Sequence, residues 1–330
     1  MNDFINIYPK GNKILFVGTL PPPIGGVSVH ISRAVSLLKE NNYNISVFDT
    51  SKKYLISYVK VLLLFTKILL GKYNIVHVHT TRTNILKIVL KAQKYSKFKL
   101  YFTDHNPRLF ANATKTSKIF YQNFILNVDL LIAVSEEVIL NYKKNDIRLK
   151  NKHIIRNAFL PPNLPDEEKI ISTYDNEILQ FLDKRKPILV SSAYKLSFIN
   201  NIDLYGLDMC IELTNNLKKD YNNIGYIFVL PDTSENEGKL QEYQETINNL
   251  KLNNNILIVK KPIQLWPIIK NADIFIRPTI TDGDALSIRE ALMFNKPVIA
   301  SDVCTRPDNV TIFRNRDIED LTNKSVQILK

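Results

Sequence analysis

The sequence predicts an α/β protein of two doubly wound domains, and three observations carry that prediction. Its 330 residues exceed the roughly 250–300 at which one hydrophobic core stops growing. Apolar runs of strand length alternate with longer helical patterns through both halves, which is the signature of βαβ units and parallel sheets. Between the halves lies the stretch Pro161-Pro162-Asn163-Leu164-Pro165, which divides the chain into 1–162 and 163–330.

In the first half the apolar runs place strands at Lys13 to Val17, Ile45 to Phe48, Ile75 to His79, Leu100 to Thr103 and Leu130 to Val134. Helical periodicity covers Val27 to Glu40, Tyr54 to Leu70, Asn84 to Lys97 and Glu136 to Lys143. The second half repeats the plan, with strands near Ile188 to Ser191, Ile224 to Leu230, Ile256 to Val259, Ile274 to Ile276 and Val298 to Ala300. Helices there fall around Leu207 to Lys219, Glu237 to Leu250, Pro262 to Lys270 and Ala285 to Phe294. Two Rossmann-like sheets facing across a cleft are expected, with ligands at the carboxyl ends of the strands.

A hydrophobic content of 45% and a charged content of 23% suit a chain that buries a core and exclude a disordered one. The net charge of +12 is uneven. Residues 1–165 hold 24 Lys and Arg against 8 Asp and Glu, a net of +16, and residues 166–330 hold 20 against 24, a net of −4. A one-sided positive field points to an anionic partner. The two cysteines, Cys210 and Cys304, have no ligand-like spacing, and Met1-Asn2-Asp3-Phe4 lacks a signal-peptide layout, so a reducing cytoplasm is expected. The longest apolar run, Val61 to Phe65 between Lys60 and Lys67, is far short of the ~20 residues of a spanning helix.

Two segments carry the chemistry. The first strand runs into Gly18-Thr19-Leu20-Pro21-Pro22-Pro23-Ile24-Gly25-Gly26, and a helix opens at Val27. Gly25 and Gly26 have no side chains to keep a phosphate from backbone N–H groups at the positive end of the helix. The same pair also suits a plain strand-to-helix turn, and it is not a dinucleotide fingerprint. The second segment is Arg277-Pro278-Thr279-Ile280-Thr281-Asp282-Gly283-Asp284-Ala285-Leu286-Ser287-Ile288-Arg289-Glu290. A helix starting near Asp284, with Asp284 as its cap, would turn the amides of Gly283, Asp284 and Ala285 toward a diphosphate, beside Leu286 and Ser287. Glu290, eight residues after Asp282, would present a carboxylate to both hydroxyls of a ribose.

This segment resembles retaining glycosyltransferases of the GT-B fold, family four. Their hallmark is Glu-Gly-Phe-Gly-Leu with a second Glu eight residues after the first. Asp282-Gly283-Asp284-Ala285-Leu286 and Glu290 match at the second acid, Gly283 and Leu286, and depart by a shortened first acid and an Ala for the second Gly. The stretch Lys296-Pro297-Val298-Ile299-Ala300-Ser301, the loop Pro21 to Gly26, His77-Val78-His79 and Thr103-Asp104-His105 are similar to further family segments. The resemblance therefore extends over nearly the whole chain. It implies that His105 and Asp282 touch the transferred sugar, that Gly26 borders the diphosphate and that Glu290 holds the ribose. The family's Arg and Lys on the diphosphate are replaced by Ser192-Ala193-Tyr194-Lys195 and Tyr205-Gly206, so Lys195 and Arg277 are the candidate cations, with Arg289 third.

Competing readings of these residues are weaker. Asp282-Gly283-Asp284 looks like the Asp-x-Asp metal site of the other glycosyltransferase fold, but that motif belongs to a single mixed-sheet domain. His77 and His79 alternate on a strand and are read as pointing to opposite faces, so no shared metal is expected, and His30 and His153 are read as structural. Lys53, Lys60 and Lys67 recur every seven residues beside Leu62, Leu63, Phe65, Leu69 and Leu70, and Lys87, Lys91 and Lys94 form a second stripe. Basic stripes beside apolar faces suit an anionic bilayer surface, and no nucleic-acid motif appears.

The expectation is an enzyme moving a sugar from a nucleotide-sugar donor, UDP-linked, to a saccharide acceptor on a polyprenyl diphosphate, in surface polysaccharide synthesis, without a metal or other cofactor. It would act in the cytoplasm, peripheral to the inner face of the membrane through its N-terminal half. The alternatives are an inactive nucleotide-sugar-binding partner subunit, suggested by the missing cations and by the end at Lys330 soon after the last predicted helix, or another GT-B enzyme such as a sugar-nucleotide epimerase or an inverting transferase.

Overall fold

A computed structural model describes residues 2–22, 24–51, 57–111, 113–149 and 152–330. The chain divides into two compact units, Met1–Leu160 and Pro161–Lys330, a boundary two residues before the one placed from sequence.

Among the described residues of the first unit the strands are β1 (Lys13–Gly18), β2 (Asn44–Asp49), β3 (Ile75–Val78), β4 (Lys99–Asp104), β5 (Leu130–Ala133) and β6 (His153–Ile155). The helices are α1 (Asn2–Ile5), α2 (Gly26–Glu40), α3 (Ser57–Gly71), α4 (Thr83–Gln93), α5 (Lys115–Leu126) and α6 (Glu136–Lys144). The strands form one parallel sheet in the order β2-β1-β3-β4-β5-β6. Its inner strands are buried on both faces, which is why they read as near-continuous apolar runs. Leu15 and Val17 pack with Val76, Val78, Leu100 and Phe102 under α3 to α6. Ile14 and Phe16 face the other way onto Ile31, Ala34 and Leu38 of α2.

The second unit has β7 (Ile188–Ser192), the short hairpin β8 (Phe198–Ile199) and β9 (Ile202–Asp203), then β10 (Gly225–Val229), β11 (Ile256–Val259), β12 (Ile274–Arg277), β13 (Val298–Ser301) and β14 (Val310–Phe313). Its helices are α7 (Glu167–Ile171), α8 (Asn176–Lys184), α9 (Leu207–Leu217), α10 (Glu237–Asn249), α11 (Trp266–Asn271), α12 (Leu286–Met293) and α13 (Ile318–Leu329). The main sheet is parallel in the order β11-β10-β7-β12-β13-β14. Leu189, Tyr226, Phe228, Ile274 and Ile276 face α9, α10 and α13. Ile188, Val190, Ile227, Val229 and Phe275 face α7, α8, α11 and α12.

Each sheet carries a sixth strand that the sequence reading lacks. Both β6 and β14 are edge strands with exposed positions, so neither shows the apolar run that marked the inner strands. Helices α1, α5, α7, α8 and α13 were also not expected. The predicted helix from Pro262 begins only at Trp266, with Pro267 in its first turn, where a missing N–H costs nothing. Lys53 and the predicted helix start at Tyr54 lie outside the described residues. Among the described residues no helix is long and apolar enough to cross a membrane.

Candidate functional site

In the second unit the candidate residues gather where β12 ends and α12 begins, at the carboxyl edge of the sheet. Arg277, the last residue of β12, donates from Nε to Asp282 Oδ2 at 2.9 Å and from a terminal nitrogen to Asp282 Oδ1 at 3.2 Å, and its other terminal nitrogen reaches the Ser192 carbonyl at 3.0 Å. Arg306 approaches the same carboxylate from the loop after β13, donating to Asp282 Oδ2 at 2.9 Å. Thr279 Oγ1 and the Gly283 amide complete the set. These five donors use the acceptor capacity of one carboxylate, so Asp282 fixes the loop rather than offering free oxygens to a sugar. Burial alone would raise its pKa, but Arg277 and Arg306 hold it well below the usual carboxylate range.

The sequence reading missed Arg306. Its side chain is 2% exposed and also donates to the Ser301 carbonyl at 3.1 Å. It stands 24 residues from Asp282, so no local pattern announces the pair.

Helix α12 starts later than expected. Its N-cap is Ala285, which offers no side-chain oxygen, and Asp284 is not the cap, because its Oδ1 accepts from Arg289 Nε at 2.6 Å. The helix therefore opens at Leu286 and Ser287 with an N-cap residue that makes no side-chain cap bond, at the helix end whose first-turn amides have no partner within the helix. Glu290 is buried, 5% exposed, as are Ile288 and Ala291 of the same helix. Asp282 lies in the loop, so the eight-residue spacing is half loop and half helix. Lys195 pairs with Glu235. Each cation proposed for a diphosphate thus already meets a carboxylate: Lys195 meets Glu235, Arg277 meets Asp282 and Arg289 meets Asp284.

The family position of the missing Lys-Gly, Tyr205-Gly206, opens α9. There the buried Asp203 carboxylate accepts from the amides of Tyr205, Gly206 and Leu207 and from Tyr243 Oη. An internal carboxylate therefore occupies that helix start.

In the first unit, Gly25 caps α2 with Ser28 folded back on it: the Gly25 amide donates to Ser28 Oγ at 3.0 Å, and the Ser28 hydroxyl donates to the Gly25 carbonyl at 3.0 Å. A Cβ on Gly26 would meet nothing within 4 Å, so packing does not demand glycine there and the backbone is left uncovered. Pro23 lies outside the described residues.

His105 follows β4 and is half-buried. Its Nε2 lies 3.3 Å from Nδ1 of the buried His79, and the His30 ring centroid is 5.1 Å from that of His105. His77 and His79 do not point to opposite faces: their ring centroids are 4.1 Å apart, because a strand has period two and residues i and i+2 share a face. His77 is saturated, with Nδ1 on Tyr8 Oη and Nε2 on Thr103 Oγ1, each at 2.7 Å. Burial holds His77, His79 and His105 well below the ordinary imidazole range and brings His30 to about 4 against the opposing pull of its bond to the Ala158 carbonyl. Burial also pushes Asp104 up to about 6, opposed by donors from Asn106 and Tyr142.

On α3, Leu64 and Ile68 enter the core, while Leu62, Leu63 and Leu70 are 61%, 44% and 82% exposed. Lys67 Nζ reaches back to the Val47 carbonyl at 3.2 Å. Lys91 and Lys87 lie over the rings of Phe65 and Phe120.

Residues 182–325 match the family model described as glycosyl transferases group 1. Protein CapJ of Staphylococcus aureus is 25% identical over 154 residues, which span 43% of this chain and 37% of that protein. Among solved structures, HepE of Anabaena in complex with UDP and glucose superposes with a TM-score of 0.72 at 14% identity, covering 97% of this chain and 90% of that one. Sucrose-phosphate synthase from Thermosynechococcus elongatus superposes with a TM-score of 0.69 at 12% identity, covering 96% and 90%. At these identities the likeness is one of fold. Residues 182–325 of the second unit thus resemble glycosyl transferases group 1, and the chain as a whole has the GT-B fold.

Proposed function

We propose that the protein transfers a sugar from a nucleoside-diphosphate sugar, UDP-linked, to a saccharide acceptor, with retention at the anomeric carbon. The observation that carries this reading is the buried Glu290 on α12, within the group 1 match, one turn beyond a helix start whose N-cap is Ala285. The carboxylate accepts the ribose hydroxyls, and the first-turn amides take up diphosphate charge. The acceptor hydroxyl oxygen bonds to the anomeric carbon as the bond from that carbon to the phosphate oxygen breaks. The hydroxyl proton passes to a leaving-phosphate oxygen, so no protein nucleophile is needed, and stabilisation of the leaving charge is the step catalysis depends on. HepE, with UDP and glucose bound, supports the choice of donor.

The acceptor is read as lipid-linked and the setting as the cytoplasmic membrane face in surface polysaccharide synthesis. The +16 half and the exposed leucines of α3 suit an anionic bilayer, and the CapJ likeness suits a capsule-type product. Co-sedimentation with anionic vesicles but not with neutral ones is expected; equal binding to both removes this part.

Calorimetry with UDP and GDP tests the donor site. Glu290→Ala is expected to weaken UDP binding at least about tenfold, the cost of ~1.4 kcal/mol of lost contact, and unchanged affinity sinks the ribose assignment. A second reading, a nucleotide-sugar-binding subunit without turnover, is favoured by the pairing of Lys195, Arg277 and Arg289 with carboxylates. Transfer and hydrolysis assays across UDP-sugars separate the two, since the subunit turns over none.

A further inference from the structure

We propose that His30, His79 and His105 form a binding site for one late transition-metal ion of the Zn2+ class in the first unit. One nitrogen from each ring lies within 4.8 Å of the other two. The residues come from α2 and from the ends of β3 and β4, so three separate segments converge on one point.

One of the three spacings already suits such an ion. His79 Nδ1 and His105 Nε2 are 3.3 Å apart, and nitrogens each about 2.0–2.1 Å from a tetrahedral Zn2+ stand about 3.4 Å from one another. His30 is prepared as a ligand. Its Nδ1 lies 2.7 Å from the Ala158 carbonyl, which can only accept, so that nitrogen carries the proton and Nε2 keeps its lone pair. A ligating histidine is commonly oriented in this way by a carbonyl behind it. His79 Nδ1 meets only another imidazole and is the nitrogen that faces the ion, so Nε2, buried with no hydrogen-bond partner, carries the proton.

The ligand set also selects the ion. Three neutral imidazoles suit Zn2+ and its neighbours, whereas Mg2+ and Ca2+ require oxygen ligands. The adjacent carboxylate does not join the trio, because Asp104 accepts from Tyr142 Oη at 2.9 Å and from the Asn106 amide at 2.8 Å. His105 is half-buried and opens the trio to solvent on its side, where water would complete the coordination. Here His105 is a metal ligand, a role separate from the sugar contact that the family resemblance implies, and the test reads metal rather than transfer.

The full-length chain, stripped with chelator, is titrated with Zn2+ against a chromogenic competitor and with Co2+ to read its visible bands. One ion per chain with the absorption of a four-coordinate site is expected, undisturbed by millimolar Mg2+. His30→Ala, His79→Ala and His105→Gln should each weaken Zn2+ binding by more than about tenfold. His153→Ala, on the edge strand β6, should leave it unchanged. If the two buried variants lose their circular-dichroism signal, His105→Gln decides, together with a Zn2+-dependent rise in Tm that this variant abolishes. The proposal is overturned if the wild type binds Zn2+ no more tightly than His105→Gln, or if His153→Ala is the change that removes binding.

Discussion

Replacing Arg306 by Met tests whether the candidate loop of the second unit is held by the paired guanidiniums. Arg306 is 2% exposed and donates at 2.9 Å to Asp282 and at 3.1 Å to the Ser301 carbonyl, with longer contacts to Thr279 Oγ1 and Ser301 Oγ at 3.4 and 3.3 Å. A hydrogen bond from a charged donor contributes about 1.5–3 kcal/mol, so the two short bonds set the scale. Removing one partner of a buried ion pair costs about 3–5 kcal/mol. Arg277 remains on Asp282 in the variant, which places the expected loss near the lower end, about 3 kcal/mol. The chain has one tryptophan, Trp266, buried in the second unit and stacked on Phe294 with ring centroids 5.7 Å apart. Urea unfolding followed by its fluorescence therefore reports this unit, which matters because a two-unit chain need not unfold in one step. A loss below about 1 kcal/mol at unchanged m would refute the reasoning, since exposed pairs contribute no more than that.

Three further outcomes follow from the same geometry. Asp282 has a depressed folded-state pKa, so its stabilising contribution is complete above the unfolded value of about 4 and is lost as pH falls through the lower folded value; Asp282→Asn should flatten the acid limb of the second unit's stability curve, and an unaltered limb would count against the paired carboxylate. Gly206 has φ +70°, and a Cβ there would sit 2.5 Å from the Pro278 carbonyl, so Gly206→Ala should cost about 1–3 kcal/mol in the tryptophan-monitored transition. Asp203→Ala removes the acceptor of three amides at the start of α9 and should cost about 1–2 kcal/mol, with Asp203→Asn nearer wild type in the same assay.

How much of this was legible depends on where each residue lies. The inner strands could be read directly, because strands buried on both faces, such as β1, β7 and β10, must be apolar throughout. Strands β6 and β14 could not: their residues are β-forming, but with exposed positions they lack the continuous buried run. The segment from Arg277 to Glu290 stood out by spacing alone, yet the start of its helix was misplaced by the assumption that an aspartate near a helix start caps it. Asp284 instead binds Arg289, and Ala285 holds the cap position.

The sequence by itself determined the two doubly wound units, the alternation of their inner strands with helices, the family segment ending in Glu290 and the charge asymmetry of the halves. All of these are carried by near neighbours or by sums over long stretches. Tertiary structure decided what the charged and imidazole groups do: it set Arg306 on Asp282 across 24 residues and matched each candidate cation to a carboxylate. It also drew His30, His79 and His105 together from α2, β3 and β4. Partners brought together by parallel-sheet crossovers are distant in the chain, and no local period encodes their meeting.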